Sequence, residues 1–168
     1  MKTRKLTTMA LLTAVALIIF VIEAQIPPIV PIAGVKLGLS NIITVFAVWM
    51  LGAKEAAGIL LARIFLGAVF AGNFSTVFYS LGGGGLALLT TVGLFYVLRR
   101  EQLWIAGCLG AIAHSIGQMV VAVWISGTVT LLIYLPVMIV CSILTGAFTG
   151  LCAQILIKRD KLWKTIFK

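Results

Sequence analysis

Acidic side chains are scarce in this 168-residue chain, which has Glu23, Glu55, Glu101 and Asp160 and no others. One aspartate cannot build the clustered carboxylates that hold magnesium and a diphosphate, so prenyl-transfer chemistry lacks its residues. The one histidine, His114, has no carboxylate nearby in sequence and cannot be a zinc site alone. Serine, cysteine or histidine nucleophile arrangements have no support either. No Gly-Lys-Ser/Thr follows the glycines at 82 to 85, which excludes a P-loop. No ATPase motif is present, so active transport would need a motor on another chain. The expectation is a protein that is not an enzyme, with no catalytic residue, metal or cofactor of its own. Cys108, Cys141 and Cys152 lie in apolar runs without CxxC spacing and read as small buried hydrophobes.

What the chain does contain is apolar. Hydrophobic residues make up 62%, charged residues 10%, and the mean hydropathy is +1.20, which places it among integral membrane proteins. The net charge of +9 forms no nucleic-acid face, because the bases gather at the ends of apolar segments. Lys2, Arg4 and Lys5 before an apolar run resemble a signal peptide. That run is long enough to span, however, and no small-x-small cleavage site precedes the prolines.

Hydropathy and turn residues predict one all-α domain of six membrane helices, at about 6–24, 37–51, 54–72, 76–98, 103–125 and 129–157. Pro136 falls in the outer third of the last, and Gly82 to Gly85 are expected to interrupt the fourth. Three of the four prolines stand at 27, 28 and 31, so the first helix cannot continue there. The segment 26–36 then reads as a lid over a ligand site, or as a rigid turn. A basic tail, 158–168, suits an amphipathic segment on the inner leaflet. With both termini in the cytoplasm, the lysines and arginines outside the spans all lie inside except Lys36, while Arg63 falls within the membrane.

Buried polar residues are costly in lipid and tend to face a bundle interior. Arg63 and His114 come out at a similar mid-membrane depth, with Gln118 one turn beyond His114 on the same face. Glu23, Lys36, Asn41 and Asn73 are predicted near the outer ends of their helices, so the polar interior should open outward. The inner half has little but threonines, which can bond back to their own helix, and Gln154. Gly83 and Gly84 offer either exposed backbone to a ligand or a close helix contact. Each residue also has an ordinary reading: Arg63 could snorkel, His114 could be a neutral core histidine, Glu23 and Lys36 could be solvated, and Gln118 and Asn41 could glue helices together. Small residues four apart, at Ala10/Ala14, Gly67/Ala71, Ala113/Gly117 and Gly146/Gly150, permit close packing, inside the bundle or against another protein.

The runs GVKLGLSNIITV at 34–45, YSLGGGGLALL at 79–89 and GAIAHSIGQMVVA at 110–122, with Arg63, resemble the Gx transporter family, often labelled heptaprenyl diphosphate synthase component I. That family in turn looks like the substrate-capture (S) components of energy-coupling factor (ECF) transporters. The resemblance implies a six-helix bundle in which the first loop is a lid. It also implies that Ala10 and Ala14 dock on a transmembrane coupling protein, with ATP used by a partner ATPase pair.

The resulting expectation is a bacterial plasma-membrane capture subunit for a small amphipathic molecule, isoprenoid- or quinone-related. Its site would be Arg63, His114, Gln118, Asn41, Lys36, Asn73, Glu23, Gly83 and Gly84. Two alternatives stay open: a non-catalytic membrane accessory of polyprenyl or quinone synthesis, and a proton-coupled carrier using Glu23 and His114.

Overall fold

The computed structural model describes residues 2–25, 36, 38–72 and 74–158. Most of the expected lid (26–35), Asn73 and most of the basic tail (159–168) lie outside the described residues. Six α-helices follow one another: α1 (Lys2–Ala24), α2 (Asn41–Met50), α3 (Ala53–Ala71), α4 (Ser75–Phe95), α5 (Leu103–Ser126) and α6 (Leu135–Lys158). Short 3₁₀ turns, Arg100–Gln102 and Val129–Tyr134, precede α5 and α6. The described residues contain no strand. Four helical stretches, Thr3–Ala24, Ser75–Phe95, Arg100–Ser126 and Val129–Lys158, are long and apolar enough to cross a membrane. The chain is therefore built to sit in a membrane, where backbone groups must be satisfied within each helix. Leu11, Val69, Leu89, Val120 and Leu144 stand among many large apolar side chains left exposed on the outside of the bundle.

α2 is shorter than predicted. Its ten residues span about 15 Å, half of a hydrocarbon core. The helix starts at Asn41 rather than Leu37 because Gly38 takes a φ of +78°, which only glycine adopts freely. Eight of its ten residues are buried, and it packs against α3, α4, α5 and α6. Val45, Phe46, Ala47, Val48 and Trp49 thus form the centre of an apolar core with Ala56, Ile59, Leu103, Ala106 and Ile157. Trp49 also meets the Phe95 ring edge-on at 5.4 Å.

The glycines at 82–85 do not interrupt α4, which runs through them unbroken. Their missing side chains instead let two helices touch. A Cβ at Gly82 would run into Val121 and the carbonyl of Gly117, and a Cβ at Gly117 would meet the Gly82 carbonyl. The same device joins α5 to α6, where Gly107 faces the Gly146 carbonyl and the Gly150 backbone. Such contacts win van der Waals energy in lipid, where no hydrophobic force drives helices together. Of the small pairs, Gly117 and Gly146/Gly150 pack internally, and Gly67 receives the ring of Phe20.

The sixth helix begins at Leu135 rather than near Val129, because Val129–Tyr134 form a separate 3₁₀ turn, and Pro136 is its second residue. In a first turn the missing N–H costs no helix bond. The three cysteines are free and partly, not fully, buried. Threonines bond back to their own helices, Thr13 to the Met9 carbonyl at 2.8 Å and Thr145 to that of Cys141 at 3.0 Å. α1 lies on the flank, against α3 and the start of α2.

Candidate functional site

α2 begins midway along the bundle, so Lys36 and residues 38–40, which lead into it, are packed among the other helices. There α1, α3 and α5 meet this segment with polar side chains, and α4 meets them with glycines. From α1, the Glu23 carboxylate accepts the Gly38 amide proton. From α3, Arg63 donates an Nη1–H to the Ser40 hydroxyl. From α5, the Gln118 Oε1 accepts the Lys36 amide proton at 3.2 Å. The His114 imidazole packs on Gly38, close enough that a Cβ there would lie 2.8 Å from Cδ2 and 2.9 Å from Asn41 Nδ2. From α4, Gly83 gives room to the same imidazole, since its Cβ would fall 2.9 Å from Nδ1 and 2.7 Å from the Gln118 Cγ. The next residue, Gly84, does so for the Arg63 side, with a Cβ position 3.0 Å from Leu60 and 3.5 Å from Arg63 Nη2.

Arg63 does not snorkel: it is 4% exposed, and His114, Gln118, Asn41 and Glu23 are buried as completely. Asn41 and Lys36 are not at an outer surface, because the short α2 brings both down to the level of His114 and Gln118. Lys36 is half-buried, its Nζ 3.4 Å above the centroid of the Phe20 ring. Burial lowers its pKa below the ordinary 10.5, opposed by the neighbouring Glu23 carboxylate and reinforced by the Arg63 charge.

Several polar atoms of this layer have no hydrogen-bond partner among the described residues: Glu23 Oε2, both side-chain polar atoms of Asn41, Arg63 Nη2 and His114 Nδ1. The His114 imidazole lies beside the Gly83 backbone. Buried polar atoms of native proteins are nearly always satisfied, so this cluster is a candidate place for bound water or another molecule.

Ser40 and Phe20 belong to this layer although nothing in the sequence singles them out. A serine before an apolar helix reads as a cap, and a phenylalanine in an apolar run reads as lipid-facing. Ser115 and Ser142, whose hydroxyls meet at 2.5 Å, join α5 to α6 away from this layer.

A family model matches residues 12–156, almost the whole chain. The chain belongs to the heptaprenyl diphosphate synthase component I family. No curated protein and no solved structure matches it significantly. The family is one of membrane proteins, and its description as one component implies partner subunits. The match covers α2 to α5 entirely and most of α1 and α6, so every described residue of the polar layer lies inside it.

Proposed function

We propose that this chain is the substrate-capture subunit of an ECF-type importer in a bacterial plasma membrane, with six spans and both termini inside. Arg63 and His114 anchor the polar part of a small amphipathic molecule, and Asn41 and Gln118 orient it. Glu23 and Lys36 complete the polar layer around it, and Asn73, outside the described residues, stays an expected contributor. The observation that carries this is the convergence of α1 to α5 on Lys36–Ser40, with polar atoms of four helices still lacking partners. Transport would draw on ATP hydrolysed by partner subunits. The coupling protein would dock on the lipid-facing side of α1, where Ala10 and Ala14 are exposed between Leu6, Leu11 and Ile18.

A second reading, a non-catalytic membrane accessory of polyprenyl or quinone synthesis, is favoured by the family's description. Affinity purification from native membranes separates the two. The importer predicts co-purification with an ATPase pair and a transmembrane coupling protein. Recovery of a soluble prenyltransferase with no ATPase would replace it with the accessory.

A further inference from the structure

Arg63 is a buried cation without a direct ion pair: the Glu23 carboxylate is near enough to act on it but lies beyond salt-bridge distance. The ion pair of Lys5 with Glu55 stands more than two turns from Arg63 along α3. Arg63 gives one nitrogen to the Ser40 hydroxyl, which carries no charge, and leaves Nη2 without a partner. A guanidinium held this deep, with one carboxylate at a distance and that one shared with Lys36, is unfavourable.

The chain has no spare anion to offer. Glu55 is taken by Lys5, Glu101 precedes α5 by a full three turns from His114, and Asp160 lies beyond α6. Residues 26–35, 37 and 73, outside the described structure, include no aspartate or glutamate. Glu23 is the one carboxylate at this level, and its Oε1 is engaged by the Gly38 amide. The layer therefore counts two cations, Arg63 and Lys36, against one carboxylate.

We propose that the molecule held here is a monoanion, carrying a single carboxylate-type head that meets Arg63 Nη2 and the Asn41 amide. The proposal rests on the polar layer being a ligand site and not on the identity of the subunits around it. One negative charge brings the layer to neutrality. A diphosphate would overshoot, exchanging an uncompensated cation for an uncompensated anion in the same low-dielectric interior.

The test uses the full chain purified in neutral detergent, its melting temperature read with acetate, acetamide or pyrophosphate at matched ionic strength. Acetate should raise the melting temperature of the native chain by several degrees, above acetamide and pyrophosphate. Arg63→Met, which removes the buried charge and keeps the bulk, should melt higher than the native chain without additive and ignore acetate. Glu23→Gln keeps an acceptor for Gly38 while adding one net positive charge, so pyrophosphate should then stabilise at least as well as acetate. An acetate effect that survives in Arg63→Met, no acetate effect in the native chain, or a native preference for pyrophosphate would overturn the proposal. Subunit co-purification plays no part here, so failure of the importer leaves this result standing, and the reverse holds too.

Discussion

The Glu23 carboxylate, one residue from the end of α1, accepts the amide proton of Gly38, where a φ of +78° turns the chain into α2. This one bond ties the flanking helix to the segment that fills the centre of the bundle. It also explains why an acid occurs at the end of an apolar helix. A hydrogen bond to a charged group contributes about 1.5–3 kcal/mol. Glu23→Ala should therefore lower stability by roughly that amount, and Glu23→Gln by less, since the amide oxygen still accepts. Thermal melting of both variants in detergent checks the order; equal losses would mean that the bond contributes little.

The glycines of α4 differ in what they face, and two neighbours make a paired test. A Cβ at Gly83 would crowd His114 and Gln118, whereas one at Gly85 meets nothing within 4 Å. Gly83→Ala should cost about 1–3 kcal/mol through overpacking and weaken ligand binding by displacing the imidazole. Gly85→Ala should be neutral or stabilise by up to about 1 kcal/mol, the helix-propensity gain. Comparable melting temperatures for the two variants would remove the close α4–α5 contact from the account.

The lengths and order of the apolar helices were largely legible, because ~20-residue hydrophobic runs broken by charged turns admit few other readings. Two features were not. Leu37 to Met50 is mostly apolar, so hydropathy does not show that the helix waits until Asn41; the positive φ at Gly38 decides it. The run Gly82–Gly85 looks like a break to any propensity scale. It stays helical because α5 presents Gly117 to it and the two backbones close on each other. Arg63, His114, Gln118 and Asn41 were readable as a group because each is costly in lipid. Ser40 and Phe20 were not, since their types are common in such helices and only the folded chain brings them to Arg63 and Lys36.

Ala10 and Ala14 are exposed on the side of α1 that turns away from α3. Replacing either with Leu should leave the fold and ligand affinity unchanged while releasing the partner assembly. Size-exclusion chromatography of the chain co-expressed with its genomic neighbours reads this directly. Retained assembly in both variants would move the docking surface elsewhere.

The most direct measurement is native mass spectrometry of the chain taken from its own membranes, alone and as Arg63→Ala. The native chain should carry a small molecule, and Arg63→Ala, folded by its helical content and melting profile, should carry none. An Arg63→Ala variant that retains the same bound mass, or a native chain that carries nothing, would contradict a binding layer built on Arg63.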